Sequence, residues 1–298
     1  MPGARGAAMI GTLRVAAVSV ILVALTLILW PVQAVAIARG WSLARTLPVL
    51  WHRIACRVAG LRVRIVGQPC SDHPLLIAAN HQSWSDIMVL GRVMPLSFIA
   101  KSEVEGWPAF GLLAKLQRTV FVERGARHRT GHQAGAIARR LSEGDAMVLF
   151  AEGTTSDGNE VLPFKTALFG AAQAALVSSH TAQVRIQPVA IAYTHANGVP
   201  LGRRFRPLVA WPGDVALGPH LLGVLKEGAI DVEISFGEPI VFAADSNRKH
   251  VARAAEDSVR AMLAASLCGH NLPAKQAAVV SRREPTLAPR HDAVDIGG

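Results

Sequence analysis

The feature that most constrains this chain is an uncharged run near its start. Residues 15–38 are 24 consecutive residues without a charged side chain, bracketed by Arg14 and Arg39. As a helix, such a run is about 36 Å long at ~1.5 Å per residue, which covers a bilayer core of ~30 Å. Pro31 can kink its second half, so a shallow or re-entrant insertion is an alternative to a full span. The pattern predicts a permanent membrane anchor over residues 1–40.

Two other interpretations of this segment are open. A cleaved signal peptide would use the basic Arg5 and Arg14, the apolar run, and Ala34 and Ala36 as a small-residue cleavage site. The run is, however, longer than the ~7–15 residues of a typical signal-peptide apolar region. The third interpretation is a buried helix in the core of a soluble protein.

The charge distribution indicates an orientation and a class of partner. The formal net charge is +10, and aromatic residues make up only 5% of the chain. Few aromatic side chains argue against binding of single-stranded nucleic acid, and no nucleic-acid partner is expected. Arginines are dense just after the apolar run, at Arg39, Arg45, Arg53, Arg57, Arg62 and Arg64. By the positive-inside rule, the remainder lies on the cytoplasmic face of the inner membrane.

Residues 41–60 form the next predicted segment, a single amphipathic helix. Apolar residues such as Leu47 and Trp51 recur opposite Arg53 and Arg57. Such a helix can lie on an anionic membrane surface or pack against a protein core, and the pattern fits both equally.

From residue 61 onwards, strands and helices alternate. Residues 61–66 alternate in polarity, whereas residues 75–79 are a short apolar run typical of a buried strand. Further strands are predicted at 97–100, 119–122, 147–151, 184–193 and 232–236, and helices at 84–93, 106–116, 128–143, 165–179 and 247–267. The order predicts an α/β fold, a mixed and largely parallel sheet flanked by helices, over one domain of residues 61–268. Residues 195–231 resist assignment, and residues 269–298 are expected to be a flexible tail.

The chemistry-bearing segment directly follows the strand at 75–79. It contains His81 and Asp86, five residues apart. On one continuous helix they would lie ~500° apart in rotation and would not share a face. They meet only if His81 lies in the strand-to-helix turn and Asp86 in the first helical turn. A histidine held by a carboxylate is a general base that can take a proton from a hydroxyl group. A capped turn with an incidental histidine is the alternative for these two residues alone.

Three further segments of the chain carry recognisable patterns, two at strand ends and one within a strand. Residues 119–124 end in Arg124, which suits a phosphate or a carboxylate. Residues 150–158 supply an acid, glycines and hydroxyl groups that can form a polar pocket. Residues 187–191 include Pro188 within an apolar strand, which predicts an edge strand or a bulge.

Taken in order, these four segments resemble the blocks of the glycerolipid acyltransferase family. His81-x4-Asp86 matches the family's His-x4-Asp block, residues 119–124 its second block, residues 150–156 its Phe-Pro-Glu-Gly-Thr-Arg block, and residues 187–191 its Val-Pro-Val block. The resemblance covers about residues 60–240. It implies an O-acyltransferase that moves an acyl group from acyl-CoA or acyl carrier protein to the free hydroxyl of a lysolipid.

The resemblance also implies roles for individual residues. His81 would be the general base and Asp86 would orient it. Substrate-binding positions would be Lys101, Arg124, Glu152, Gly153, Thr154 and Thr155. The family's mechanism implies no cofactor and no metal, with the thioester as co-substrate and membrane lipids as partners. A non-catalytic lipid-binding protein with a degenerate site is the alternative from another class.

Two positions depart from the family's third block. Ala151 stands where proline is usual, and Thr155 stands where arginine is usual. A charge-assisted contact is worth roughly 1.5–3 kcal/mol, so losing the arginine bears on how a phosphate would be held. The expected acceptor is 1-acylglycerol-3-phosphate, giving phosphatidic acid. The alternative within the family is lyso-ornithine lipid, whose head group bears a carboxylate instead of a phosphate.

Overall fold

The computed structural model describes residues 2–122, 130–178, 183–213 and 215–269. The predicted tail therefore lies outside the described residues from residue 270 onwards. The helices are α1 Pro2–Ala38, α2 Leu43–Ala59, α3 Asp86–Gly91, α4 Phe110–Leu116, α5 Thr130–Ser142, α6 Gly170–Ser178, α7 Leu217–Glu227 and α8 Arg248–Cys268. The strands are β1 Leu61–Val66, β2 Leu75–Ala79, β3 Ser97–Lys101, β4 Val120–Val122, β5 Ala146–Phe150, β6 Gln183–Ala196, β7 Val199–Pro200, β8 Ile230–Phe236 and β9 Ile240–Ala243.

These strands form one mixed, largely parallel sheet, which confirms the predicted fold class. Its order is β1-β8-β6-β2-β5-β3-β4, with β7 and β9 also paired to β6. The pairs β1–β8, β6–β2, β2–β5, β5–β3 and β3–β4 are parallel, while β8, β7 and β9 run antiparallel to β6. Every residue of β2 and of β5 is buried, because helices cover both faces of the sheet centre.

Parallel pairing at the sheet centre aligns the strand ends that matter for chemistry. Ala79, the last residue of β2, pairs with Phe150 of β5 and with Val189 of β6. The segments that follow β2 and β5 therefore leave the sheet side by side. In open α/β sheets, this carboxyl edge is where ligand sites form.

The expectation that Pro188 marks an edge strand or a bulge is wrong, because β6 lies inside the sheet. On one side β6 pairs with β2 throughout residues 185–189. On the other side it pairs with β9 over residues 183–186 and with β8 from Val189 onwards. Pro188 lies at the change from one partner to the next, where its missing N–H leaves no ladder bond unmade.

Helix α1 lies against the folded domain along much of its length. Arg14 donates hydrogen bonds to the carbonyls of Leu225 and Ala59 at 2.8 and 3.0 Å. Gln33 donates to the carbonyls of Ala44 and Leu116 at 3.0 and 2.7 Å. Residues Met9–Ala38 are long and apolar enough to cross a membrane, and only 11% of the most apolar window is buried. The interpretation as a buried core helix is therefore wrong.

Helix α2 packs one face into the protein. Its buried residues include Leu47, Ala55 and Cys56, and it contacts α1, α3 and β1. This is the core-packing alternative for residues 41–60. Its outer face retains Leu50 and Arg53, so contact of that face with a membrane surface stays a prediction.

The junction between α2 and β1 yields a test of packing. Gly60 has a φ of 83°, and a Cβ atom there would lie 2.2 Å from the carbonyl oxygen of Gly228 and 2.7 Å from Arg14 Nη2. Gly40 also has a positive φ, of 64°, but a Cβ there meets nothing within 4 Å. We expect Gly40→Ala to cost about 1–2 kcal/mol from backbone strain alone. Gly60→Ala should cost more, because the junction must also move apart.

Thermal unfolding of the two detergent-solubilised variants measures this difference. Each kcal/mol lowers the midpoint by about 2–4 °C in a domain of this size. Equal midpoints for the two variants would mean that the contact between Gly60 and Gly228 is not close.

Candidate active site

The turn after β2 brings the predicted histidine and aspartate together. His81 lies in the turn, and Asp86 is the first residue of α3. His81 Nδ1 lies 2.8 Å from Asp86 Oδ2. This is the turn geometry that the spacing of five residues requires, since a continuous helix would separate the two side chains.

Asp86 is a fully buried carboxylate whose oxygens are both satisfied. Besides His81, Oδ2 accepts the backbone N–H groups of Gln82 at 2.8 Å and Ser83 at 2.9 Å. Oδ1 accepts the hydroxyl of Tyr193 at 2.8 Å. Four donors replace the water that burial removes, so neither oxygen of the carboxylate is left without a hydrogen-bond partner in the core.

The ring of His81 is held in a defined orientation. It stacks on Phe150 with the ring centroids 3.9 Å apart and the planes inclined by 14°. With Nδ1–H donating to Asp86, Nε2 carries a lone pair on the opposite side of the ring. His81 lines a large cavity and keeps 19% of its side chain exposed. The histidine is thus arranged to accept a proton from a hydroxyl group in that cavity.

Glu152 braces this turn and does not line the cavity. Its Oε1 accepts the backbone N–H of His81 at 2.8 Å, and its Oε2 accepts that of Leu162 at 3.1 Å. A second hydrogen bond joins the loop after β5 to the turn, since the backbone N–H of Ser156 donates to the carbonyl of His81 at 2.8 Å. Burial raises the pKa of Glu152 to about 8, although the two N–H donors oppose that rise. The role of Glu152 within the described residues is therefore to hold the backbone that carries His81.

The other predicted binding residues fall into two groups. Lys101, at the end of β3, lines the same cavity as His81. Gly153, Thr154 and Thr155 line it as well. Arg124 lies outside the described residues, so the structure places four of the six predicted binding positions at the cavity.

The cavity has a volume of about 980 Å³ and is bounded mainly by apolar side chains. It extends from His81 to α1, where Leu22 and Trp30 form part of its wall. Its charged lining residues are Lys101 and Glu103, near the catalytic end. This arrangement suits an amphiphile, with its polar group beside His81 and its hydrocarbon chain towards α1.

Comparisons with known proteins agree with this site. The Acyltransferase family model matches residues 61–192. A lyso-ornithine lipid O-acyltransferase of Brucella abortus is 57% identical over 267 residues, which cover 89% of this chain and 99% of that protein. A protein of the same name from Rhizobium meliloti is 50% identical over 88% of this chain and 90% of its own length. The chain belongs to the Acyltransferase family.

Two more distant similarities agree with this assignment. A 1-acyl-sn-glycerol-3-phosphate acyltransferase of Neisseria gonorrhoeae is 34% identical over 67% of this chain and 74% of its own length. The crystal structure of the 1-acyl-sn-glycerophosphate acyltransferase from Thermotoga maritima aligns with a TM-score of 0.52 at 21% identity, covering 83% of this chain and 96% of that one. The latter supports the fold. The prediction of an O-acyltransferase is confirmed.

Several residues of the acyltransferase site were not predicted. Asn80 donates to the carbonyl of Ile191 at 3.0 Å and accepts from its N–H at 2.8 Å, and Gln82 donates to the same carbonyl. Tyr193 completes the contacts of Asp86. In each of these hydrogen bonds the two residues are more than 100 positions apart in the chain, so no local sequence motif predicts the contact. The composition offers one hint, since Tyr193 is the chain's only tyrosine.

Glu152 of the acyltransferase gives a prediction about pH. The pKa of its carboxyl group is raised by burial to about 8, from 4.5. Its stabilising contribution is complete below pH 4.5 and is lost as the pH rises through about 8, because the folded state binds the proton more tightly. Glu152→Gln has no such titration. We expect the unfolding midpoint of the wild type to fall relative to that of Glu152→Gln between pH 5 and 8.

The measurement is a pair of thermal unfolding series in matched buffers. A control series with Glu160→Gln removes a carboxyl group from the exposed part of the same loop. A constant difference between the wild type and Glu152→Gln at every pH would contradict the prediction.

Proposed function

We propose that this acyltransferase moves an acyl group from a thioester to the hydroxyl of a lysolipid, with His81 as general base. The observation that carries the proposal is the His81–Asp86 contact of 2.8 Å beside a large apolar cavity. Nε2 takes the hydroxyl proton while the hydroxyl oxygen attacks the thioester carbonyl. The tetrahedral intermediate then expels the thiolate, which receives the proton from the imidazolium. The products are an acylated lipid and a free thiol.

Asp86 contributes through charge and orientation in this mechanism. Its carboxylate selects the tautomer with hydrogen on Nδ1 and stabilises the imidazolium that forms. No acyl-enzyme is needed, because the histidine acts as a base and not as a nucleophile. Either acyl-CoA or acyl carrier protein can supply the thioester, and the reaction as proposed uses no cofactor or metal.

We propose the cytoplasmic face of the inner membrane as the site of the reaction. The bonds of Arg14 and Gln33 hold about 29 Å of α1 beside the domain, at ~1.5 Å per residue. The outer side of α1 is apolar, with Val20 and Ile28 exposed by 67% and 68%. A lysolipid can then pass from the membrane into the cavity with its chain along α1.

Activity of purified, detergent-solubilised variants tests the mechanism. His81→Ala and Asp86→Asn should each lower kcat by about 10²- to 10⁴-fold, because each removes the functional general base. The matched control is His195→Ala on β6, whose ring contacts Thr194 instead of the cavity. Full activity of His81→Ala would refute the mechanism. Stable lysolipid binding by the wild type with no turnover would favour a non-catalytic lipid-binding protein.

The acceptor that we propose is lyso-ornithine lipid. The relatives at 57% and 50% identity carry that name, whereas the 1-acyl-sn-glycerol-3-phosphate acyltransferase of Neisseria gonorrhoeae is 34% identical. Thr155 lines the cavity, and it stands where arginine is usual in the third block of the family. A carboxylate carries less charge than a phosphate, so Lys101 with neutral hydroxyl groups is a fitting set of partners.

A substitution at Thr155 tests the choice of acceptor. Thr155→Arg should raise kcat/KM for 1-acylglycerol-3-phosphate relative to lyso-ornithine lipid by about 10-fold or more, the value of one charge-assisted contact. Thr155→Met controls for the added length without the charge. The ratio of kcat/KM for the two lysolipids is the measurement. An unchanged ratio in Thr155→Arg would mean that Thr155 does not face the head group.

A further inference from the structure

Tyr193 lies outside every predicted block, yet it contacts the acid of the catalytic pair. Its side chain lies within β6 and is buried, with 2% of its surface exposed. Its Oη lies 2.8 Å from Asp86 Oδ1 and 2.6 Å from Ser85 Oγ. Asp86 Oδ2 already serves His81, so the tyrosine occupies the oxygen that the histidine leaves open.

The direction of this hydrogen bond is fixed. Burial, and next the charge of Asp86, hold the pKa of Tyr193 well above its usual range. The phenol therefore keeps its proton at any working pH and donates it to Asp86. Ser85 Oγ lies 2.6 Å from the phenol oxygen and donates to Ser83 Oγ at 3.0 Å. The result is a chain of hydrogen bonds from Tyr193 through Asp86 to His81.

Strand β6 sets the position of Tyr193 relative to the catalytic turn. Asn80 binds both backbone groups of Ile191, two residues before Tyr193. In a strand, residues two apart face the same side of the sheet, and Ile191 and Tyr193 both pack in the core cluster that contains Val89 of α3. The pairing of β6 with β8 shifts register between Tyr193 and His195, directly after this contact.

We propose that Tyr193 is a positioning residue, which holds Asp86 in the orientation and charge state that make His81 an effective base. The hydrogen bond to Oδ1 keeps the carboxylate from rotating, so Oδ2 stays directed at Nδ1. It also draws charge away from the oxygen that faces His81. This inference rests on the proposed function, since it concerns the same base.

Other titratable groups near the pair do not replace this role. Glu152 approaches Asp86 from the loop after β5, and its own oxygens accept backbone N–H groups. Cys56 faces Tyr193 from α2, and burial raises the pKa of its thiol to about 12, so it stays neutral. Within the described residues, Tyr193 is the side chain that donates to Asp86 Oδ1.

Tyr193→Phe removes the hydroxyl and keeps the ring. We expect kcat to fall about 10- to 100-fold, the effect of losing a hydrogen bond to a charged group, with KM changed less than twofold. The acid limb of the kcat/KM profile, which reports the free enzyme, should move to higher pH, because a carboxylate without this donor favours the imidazolium more. Ser97→Ala is the matched control: it also removes a buried hydroxyl group, one that binds Arg140 on another part of the sheet.

Three results would overturn the proposal. The first is a Tyr193→Phe enzyme with kcat and acid limb like those of the wild type. The second is a lower kcat with an unmoved acid limb and a fall in unfolding midpoint, which would mean a structural role. The third comes from the wild type alone, labelled with [13Cζ]tyrosine, which gives one resonance since the chain has one tyrosine. We expect the chemical shift of this resonance to change with pH, with the same midpoint as the acid limb. A chemical shift that does not change with pH would refute the contact.

These experiments separate the two proposals. If the wild type transfers no acyl group to either lysolipid, the proposed function is refuted. In that case the resonance of Tyr193 still tests the contact, because its response to the protonation of His81 needs no substrate. If the wild type is active and Tyr193→Phe is equally active, only the inference about Tyr193 is refuted.

Discussion

The site depends on the parallel pairing of β2 with β5 and β6. This pairing places three chain segments at one edge of the sheet, although they are up to about 110 residues apart in sequence. Each neighbour contributes one kind of contact to the turn after β2. The loop after β5 holds its backbone through Glu152, and β6 holds its side chains through Ile191 and Tyr193. The turn is thereby held to both neighbouring segments of the chain.

Much of the fold was predictable because its signals are local. Apolar runs at residues 75–79 and 147–151 gave the two central strands almost to the residue, since strands buried on both faces consist of continuous apolar residues. Strand β9 and the short β7 were missed, because four and two residues carry too little pattern. The error at Pro188 has a different source. A single sequence does not reveal that the partner on one side of a strand changes at that residue.

The residues of the candidate site also divide into those that a local sequence pattern predicts and those that it does not. His81 and Asp86 were found because they directly follow a buried strand and match the His-x4-Asp block of the family that the sequence resembles. The function of Glu152 could not be read from its position, since a carboxylate in a polar loop looks the same whether it faces a ligand or a backbone N–H group. Tyr193 belongs to a strand that is buried over most of its length, and only the three-dimensional pairing of β2 with β6 reveals its polar contact.

The attachment of α1 has a consequence for how this enzyme is built. An ordinary membrane anchor is exchangeable, because it only tethers a catalytic unit that is complete without it. Here Leu22 and Trp30 of α1 are part of the cavity wall, and Arg14 and Gln33 fasten the helix at both ends of that wall. Removing α1 would therefore open this cavity along one side. The part of the chain that is long and apolar enough to cross a membrane also forms part of the candidate site, so the two cannot be separated without changing the cavity.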